Sequence, residues 1–226
     1  MLIIGVGVTA CQSHRNVILQ VSTLDTLKEG AYDGRKSLAD LKSYGDMGLG
    51  TFNRLDGEMI VVNGDFYRVR FNGEVDVPPA STTTPFAVVT QFEPTVDREV
   101  NRPMTLEQLR KYLDRLIPDQ ETFCMFYIRG NFRHLKARSV PAQRKPYPPL
   151  KNVIKRQSVF EFHNEYGTLV GIRVPPSLAG VNAVGYHFHF LNEARNGGGH
   201  VLEATLTNAR IRADTRHEAF HLVLPK

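Results

Sequence analysis

The sequence has only two cysteines, Cys11 and Cys124, among its 226 residues. Two thiols are too few for a framework of disulfide bonds, so packed apolar side chains have to stabilise the fold. Hydrophobic residues make up 42% of the chain, which is ample for such a core. Cys124 lies in the apolar run TFCMFYI, and we expect it to be a buried thiol.

The sequence also lacks clusters of basic residues. The formal net charge is +5, but the lysines and arginines are scattered along the chain. Scattered charge does not make the concentrated basic surface that nucleic-acid binding needs, so we expect no nucleic-acid partner. A mild positive charge suits an anionic small molecule as the substrate better. The length suits one large domain or two small lobes.

The first eleven residues, MLIIGVGVTAC, are apolar but too short to span a bilayer. They are typical of the hydrophobic region of a secretory signal, although the usual basic residues before it are missing. VTAC resembles the lipobox of bacterial lipoproteins, whose cysteine is lipidated. We therefore predict a leader at residues 1–11, a membrane tether through Cys11, and a location in the cell envelope or outside the cell. The alternatives are a short buried strand or a wrongly assigned start, with a cytoplasmic protein.

The stretch GYHFHFLNEARNGGGH, residues 185–200, carries the strongest chemical signal. Its first part is typical of a strand, so His187 and His189 share one face and the phenylalanines that follow them share the other. The glycines at 197–199 turn the chain back, which allows His200 to lie beside the other two histidines in a hairpin. An isolated H-x-H pair is often accidental. Three imidazoles on adjacent strands, however, make an open site for a first-row transition metal.

Apolar runs separated by turn signals predict about ten strands. Asn-Gly pairs at 63–64 and 72–73 separate three such runs, which predicts a three-stranded meander at residues 58–77. We expect a break at Gly130-Asn131 between TFCMFYIRG and NFRHLKARSV. Further strands are predicted in NVILQV, PFAVVTQF, SVFEFHNE, TLVGIRV and FHLVL.

Capping-box patterns predict three short helices, which begin after Ser22, Ser37 and Thr105. The third is the clearest, because leucines recur on one face from residue 106 to about 117. The proline-rich segment VPAQRKPYPPL is the predicted boundary between lobes of roughly 12–140 and 141–226 within one domain, residues 12–226. These elements predict a two-lobed α+β fold with mixed or antiparallel sheets, and a metal site on a β-hairpin of the C-terminal lobe.

Three segments resemble the bacterial alpha-acetolactate decarboxylase family. They are GLGTFNRLDGEMIVVNGDFYRV (48–69), ARSVPAQRKPYPPL (137–150) and GYHFHFLNEARNGGGHVLE (185–203). Shorter matches keep the same order, and together they cover most of residues 16–212. The resemblance implies a two-lobed α+β lyase, usually a dimer. It also implies that the enzyme removes CO₂ from (S)-2-acetolactate (2-hydroxy-2-methyl-3-oxobutanoate) and gives (R)-acetoin.

The resemblance further implies a zinc ion held by histidines that match His187, His189 and His200, a catalytic arginine that matches Arg138, and a glutamate that matches Glu58. The decarboxylation itself also requires groups of these kinds, independently of the resemblance. Loss of CO₂ moves electrons onto the ketone oxygen, which a Lewis acid such as zinc polarises. An arginine orients a carboxylate through paired hydrogen bonds, and a carboxyl group passes the proton that sets the handedness of the product.

The sequence departs from the family in one respect. The family commonly has a second glutamate near its C-terminus, on a tail that folds back to the site. No acidic residue follows Glu218 in this sequence, and Glu218 itself lies too close to the last strand for a match. This departure leaves three alternatives: the tail is absent, another carboxylate replaces the glutamate, or the enzyme has impaired activity.

Two other functions stay open on the sequence alone. The spacing Gly180-x₆-His187-x-His189-x₃-Glu193 approaches the first motif of cupin metal barrels, in which Glu193 would be a ligand and the protein an oxygenase or isomerase. Cupins need a second, glycine-bearing motif downstream, and no glycine follows His200. The other alternative is a lipid-anchored zinc-binding protein without catalytic activity.

Overall fold

The computed structural model describes residues 15–224, and in this part of the chain strands predominate. The strands are β1 (Val17–Val21), β2 (Lys36–Ser37), β3 (Met47–Thr51), β4 (Glu58–Val62), β5 (Asp65–Val69), β6 (Val75–Asp76), β7 (Thr83–Thr84), β8 (Ala87–Thr90), β9 (Val96–Val100), β10 (Met104–Thr105), β11 (Cys124–Ser139), β12 (Ser158–Val174), β13 (Gly185–Asn192), β14 (Gly198–Asp214) and β15 (Ala219–Val223). The helices are α1 (Leu24–Lys28), α2 (Leu38–Lys42), α3 (Leu106–Leu116) and α4 (Leu150–Ile154), with 3₁₀ turns at Asn53–Leu55 and Pro176–Leu178. The predicted leader, including Cys11, lies outside the described residues.

The first sheet has the strand order β15-β1-β8-β3-β4-β5-β6. It is mixed, because β1 and β15 run parallel while the other neighbours run antiparallel. The predicted meander is confirmed, since β4, β5 and β6 pair in succession. Asn63 and Gly64 both have a positive φ, as the tight turn between β4 and β5 requires. Glu58 is the first residue of β4.

The second sheet is built on three long strands, β11, β12 and β14. β11 pairs antiparallel with β12 on one side and with β14 on the other. β13 pairs with β12 and also with the first residues of β14, so these four strands close on themselves. A residue near the start of β14 therefore has β11 on one side and β13 on the other.

The two sheets pack against each other through an apolar core. Side chains from both sheets share this core, and the fully buried ones include Leu49, Ile60, Met125, Val170 and Ile172. On the other side of the second sheet, buried leucines of α3 belong to a separate core cluster with phenylalanines of β11 and β13. Burying one such side chain contributes roughly 1.5–3 kcal/mol to stability. The shared core therefore holds the two sheets in a fixed position relative to each other.

Three of the four helices begin at or next to the predicted caps, whereas α4, which begins after Pro149 without a side-chain cap, was not predicted. In α2 and α3, both halves of the capping boxes at Ser37 and Thr105 are formed. The expected cap at Ser22 is wrong by one residue, because Ser22 has a positive φ and its amide donates to the carbonyl oxygen of Val223. Thr23 has the extended conformation that a cap needs, and it caps α1 instead.

The expected break at Gly130-Asn131 is wrong, because β11 continues through both residues. Gly130 pairs with Gly167 of β12 on one side and with Ala209 of β14 on the other. A Cβ atom on Gly130 would overlap the backbone of Asn208. This glycine therefore lets strands approach closely and does not turn the chain. In the same way, two runs predicted as separate strands form the continuous strand β12.

The predicted fold class is confirmed as α+β, with several mixed or antiparallel sheets and few helices. The first sheet takes strands from residues 17–90 and from β15, whereas the second takes its strands from residues 96–214. The predicted lobe boundary near residue 140 stays a prediction. Between residues 15 and 224, no helix has the length and apolar character needed to cross a membrane.

Candidate metal centre

The loop between β13 and β14 is fixed by one asparagine side chain. Oδ1 of Asn192 accepts hydrogen bonds from the backbone amides of Asn196 and Gly197, at 3.0 and 3.1 Å. Its Nδ2 donates to Glu165 of β12 at 2.9 Å. The turn that brings β14 back beside β13 is therefore held by hydrogen bonds as well as by its glycines.

Close approach of strands at Gly199 sets the position of His200. Gly199 has a φ of 135°, and a Cβ atom there would come within 2.5 Å of the Arg138 carbonyl oxygen. A residue with a side chain would be strained and crowded at this position. His200 follows directly, and it pairs with His189 on β13 and with Arg138 on β11. The side chains of Arg138, His200 and His189 thus start from one row across the adjacent strands β11, β14 and β13.

The ring nitrogens of His187, His189 and His200, the inner triad, converge on one point. Nε2 of His187 lies 3.1 Å from Nε2 of His189 and 2.9 Å from Nδ1 of His200. His189 is buried, whereas the other two are partly exposed towards a cavity. Phe188 and Phe190 are buried in the core on the other face of β13, as the alternation of the strand predicts.

One contact determines which nitrogen of His189 carries its hydrogen. Nδ1 lies 2.8 Å from the carbonyl oxygen of Met59, which can only accept, so Nδ1 donates and Nε2 keeps a lone pair. Desolvation, and then the charge of Arg138, lowers the pKa of His187 to about 4. Desolvation also holds the pKa values of His189 and His200 well below the usual range. The rings are therefore neutral imidazoles at neutral pH.

The chemistry of these donors fits a divalent transition metal. Neutral rings this close cannot satisfy all the facing nitrogens with their own hydrogens, whereas one cation accepts every lone pair. Zinc binds imidazole nitrogens at roughly 2.0–2.1 Å, so two ligands in a tetrahedral site lie about 3.3 Å apart. The observed separations of 2.9 and 3.1 Å are close to that value. Three protein ligands would leave one position open for water or substrate.

Glu58 reaches the inner triad from the first sheet. Its Oε2 lies 3.6 Å from Nε2 of His189, and only 7% of the residue is exposed. Burial raises the pKa of Glu58 to about 7, against the opposing effect of the Arg138 charge. A carboxyl group with such a pKa is partly protonated and partly ionised near neutral pH, as a proton-transfer group needs to be.

A set of ion pairs holds the start of β4 in place. Arg68, which pairs with Met59 across the strands, donates to Asp56 at 2.7 Å and to Asp76 at 2.6 Å. These hydrogen bonds lower the pKa of Asp76 below its usual range. Because Asp56 comes two residues before Glu58 and Arg68 pairs with Met59, the ion pairs hold the backbone from which the Glu58 side chain starts and which carries the Met59 carbonyl.

Arg138 borders the same site from β11. Its Nη1 donates to Oε1 of Gln157 at 3.2 Å, and its buried Nε has no hydrogen-bond partner in the described chain. A guanidinium with unused donors beside a cavity suits a carboxylate, which accepts paired hydrogen bonds.

The inner triad, Glu58 and Arg138 line one cavity of about 280 Å³. The other polar side chains in its wall, which the sequence did not predict, are Thr51, Arg110, Asn182 and Tyr186. Within residues 15–224, Glu58 is the only carboxylate in the wall, while Arg110 and Arg138 contribute two guanidinium groups. The size suits a small molecule, and the surplus of positive charge suits an anion.

Arg110 left only a weak signal in the sequence. It follows Leu106 by four residues and Leu109 by one, so it lies at the border of the buried face of α3. Its Nε is buried without a hydrogen-bond partner among the described residues. The helix pattern locates such a residue at a boundary but does not tell which cavity it meets.

The other candidate carboxylates lie elsewhere. Glu193, the ligand in the cupin alternative, pairs with Arg129 at 2.6 Å and is not in the cavity wall. Glu218 accepts a hydrogen bond from Asn16 at 3.1 Å and is also absent from the wall. Neither residue is placed to act on a molecule in the cavity.

The fold and the site define a β-rich protein in which three neutral histidines, a buried carboxyl group and two guanidinium groups surround a cavity for a small anion. The sequence profile of the alpha-acetolactate decarboxylase family matches residues 18–226. The chain belongs to this family of carboxy-lyases.

Individual relatives agree with this assignment. The chain is 43% identical to alpha-acetolactate decarboxylase of Methylococcus capsulatus over 92% of its own length and 80% of the relative. It is 42% identical to that of Brevibacillus brevis over 97% of its length and 76% of the relative. The crystal structure of alpha-acetolactate decarboxylase from Bacillus subtilis superposes with a TM-score of 0.90 at 37% identity, covering 93% of this chain and 89% of that chain.

Proposed function

We propose that this chain converts (S)-2-acetolactate to (R)-acetoin and CO₂, with a zinc ion held by the inner triad. One observation carries the proposal: the inner triad, Glu58 and Arg138 come together around one small cavity. Family membership supports it, because the relatives described above are alpha-acetolactate decarboxylases by name.

The reaction breaks the bond between the carboxylate carbon and carbon 2 of the substrate. The electron pair of that bond forms a double bond between carbons 2 and 3, as electrons of the ketone move onto its oxygen. A proton then adds to carbon 2, so one proton is consumed and the products are CO₂ and acetoin. A zinc ion in the triad would supply a Lewis acid that draws electrons towards the ketone oxygen, and neutral imidazoles would leave its charge undiminished.

The two arginines orient the substrate. Arg138 and Arg110 line the cavity, each has a buried Nε without a hydrogen-bond partner among the described residues, and no other cationic side chain of residues 15–224 lies in the wall. Paired hydrogen bonds to a carboxylate fix its plane, and with it the direction of the bond that breaks. The apolar wall, which includes Leu27, Leu55 and Phe86, limits the access of water to the carbanion-like carbon.

Glu58 delivers the proton to carbon 2. Its carboxyl group is buried and lies 3.6 Å from His189, so it meets the substrate from the side of the first sheet. Arg138 belongs to the second sheet, on β11. Delivery from one fixed side would give one handedness of acetoin.

The test uses purified zinc-loaded protein with racemic acetolactate, and measures acetoin by chiral chromatography and zinc by mass spectrometry. We expect (R)-acetoin from the wild type. His189→Ala should lose the zinc of the inner triad and acetoin formation together, since a three-ligand site has no spare donor. The control His221→Ala, at an exposed position on β15, should keep both. No acetoin from zinc-loaded wild type would leave a zinc-binding protein without this catalysis, and full zinc content in His189→Ala would refute the ligand set.

Assembly and location belong to the same proposal. The resemblance to the family supports a homodimer, and sedimentation would measure its mass. The apolar leader supports a membrane tether through Cys11, with the protein in the cell envelope or outside the cell. Full-length protein should then partition with membranes in its host, and Cys11→Ser should release it. A soluble cytoplasmic protein that keeps Met1 would refute the tether, and a monomer in solution would refute the dimer.

A further inference from the structure

A second group of side chains of the types that bind metals lies on a more exposed part of the second sheet. It consists of His134 on β11 with Glu161 and His163 on β12, here called the outer cluster. Nε2 of His163 lies 3.7 Å from Oε2 of Glu161, and Nε2 of His134 lies 4.0 Å from the same oxygen. One ligand atom from each residue lies within 4.8 Å of the others. The two imidazole rings are 5.3 Å apart.

Strand register brings the three side chains together. His134 and His163 are directly opposite each other in the antiparallel pairing of β11 with β12. Glu161 precedes His163 by two residues, so the side chains share one face of the strand. Directly opposite residues have Cβ atoms about 4.5–5.5 Å apart. The arrangement is therefore built into two long paired strands and does not depend on a loop.

A neighbouring lysine orients Glu161. Nζ of Lys136 lies 3.6 Å from Oε1 of Glu161 and 3.3 Å from Oε1 of Glu203 on β14. The lysine thus holds one carboxylate oxygen of Glu161, while the other oxygen faces the two histidines. Partners of this kind, which orient a ligand without touching the ion, are a regular part of metal sites.

We propose that the outer cluster binds one divalent first-row transition-metal ion, of the class of Zn²⁺, Ni²⁺ or Cu²⁺, independently of the inner triad. Two imidazoles and one carboxylate are donors that such ions accept, whereas Mg²⁺ and Ca²⁺ prefer oxygen alone. Ligand atoms of a tetrahedral zinc lie about 3.3 Å apart, so the observed 3.7 and 4.0 Å require only small side-chain movements. Water would fill the remaining positions.

The outer site differs from the inner triad in location and in strength. His134 precedes Arg138 by four residues on β11, which corresponds to about 13 Å along the strand. The side chains of His134, Glu161 and His163 are 32%, 51% and 63% exposed, so water and protons compete for the donors. The ion in the outer cluster is therefore the weaker-bound of the two and joins β11 to β12 near the surface.

Equilibrium dialysis of the folded protein against Zn²⁺ tests the proposal, after the metal content of the protein as purified has been measured. We expect the wild type to take up one further zinc per chain. His134→Ala and His163→Ala should each weaken this uptake by more than about 10-fold, the low end of what loss of even an indirect partner costs a metal site. The matched variant His221→Ala, which removes an exposed histidine of the first sheet, should bind as the wild type does.

A second measurement guards against a folding defect in the variants. Imidazole proton signals in the NMR spectrum of the wild type, assigned by loss in each variant, should shift for His134 and His163 as the further zinc binds. The signal of His221 should stay in place. The proposal is overturned if the wild type takes up no further zinc, or if both variants keep the uptake of the wild type, and neither result depends on acetoin formation.

Discussion

The inner triad and the outer cluster are both made by histidines that face each other across antiparallel strands of the second sheet, yet their surroundings differ. In the inner triad, β4 of the first sheet packs over the histidines, accepts the hydrogen of His189 and brings Glu58 within 3.6 Å. Nothing comparable covers the outer cluster in residues 15–224, where Glu161 and His163 are more than half exposed. Similar donors therefore have a low pKa and a fixed tautomer in one place and free access to water in the other.

The difference shows what a second layer of structure contributes to a group of histidines that could hold a metal. Strand pairing alone gives the donor set and its spacing. The covering sheet adds desolvation, which keeps the rings neutral, and a hydrogen-bond acceptor, which orients one ring. It also contributes the carboxyl group that chemistry on a bound anion requires. We therefore expect both places to bind metal and only the covered one to catalyse.

The largest effect should come from Glu58→Gln, which removes the carboxyl group that the covering sheet contributes and leaves the histidines of the inner triad intact. Glutamine keeps the size of the side chain but cannot pass a proton. General acid–base catalysis is typically worth about 10² to 10⁴ in rate, so kcat should fall by about that factor. Zinc content should not change. The matched variant Glu74→Gln, on an exposed residue, should have the activity of the wild type. Near-normal turnover would assign proton transfer to another group, and loss of zinc would make Glu58 a ligand.

Arg138→Lys should have the next largest effect, because the row Arg138–His200–His189 joins the arginine to the inner triad. Lysine keeps the charge but loses the planar pair of donors that holds a carboxylate. Hydrogen bonds to charged groups contribute roughly 1.5–3 kcal/mol, so kcat/KM should fall by about 10- to 100-fold. Arg210→Lys, at an exposed ion pair with Asp97, is the control. Activity within a factor of two of the wild type would show that charge alone suffices at residue 138.

Arg110→Gln should have a smaller effect, concentrated in KM. Arg110 reaches the cavity from α3, whereas the histidines lie on β13 and β14. We therefore expect Arg110 to bind the substrate more than to act on the bond that breaks. Loss of one charged hydrogen bond corresponds to a KM increase of about tenfold. Arg115→Gln, on an exposed position of the same helix, is the control. A fall in kcat without a change in KM would instead place Arg110 at the reacting atoms.

The sequence predicted the inner triad better than the residues around it, for a physical reason. His187, His189 and His200 are coupled by rules that act within about fifteen residues, namely the alternation of a strand and the return of a glycine turn. Glu58 and Arg138 lie far from them in sequence, and no local pattern marks either one. Only the resemblance to a family pointed to both, since packing of one sheet on another has no local signature.

Mistaken predictions came from local rules that longer-range packing overrides. Gly130 was taken for a break because glycine favours turns, but here it lets β11 lie close to β14. Ser22 was taken for a cap, but its backbone amide donates a hydrogen bond to Val223 of β15, which lies far from it in sequence. The outer cluster was missed for a related reason, because His134 and His163 become neighbours only through the pairing of β11 with β12.

The smallest effect should appear when the outer cluster is filled, since in residues 15–224 no layer of structure covers it and its side chains are partly exposed. Starting from protein whose inner triad already holds zinc, added zinc should stabilise the native state by RT ln(1 + [Zn²⁺]/Kd), which is about 1 kcal/mol at five times Kd. For a chain of 226 residues that corresponds to a rise in melting temperature of about 2–4 °C. Differential scanning calorimetry should show this rise in the wild type and in His221→Ala, but not in His163→Ala. An equal rise in His163→Ala would mean that the stabilising ion binds elsewhere. The outer cluster would then not be a metal site that can be compared with the inner triad.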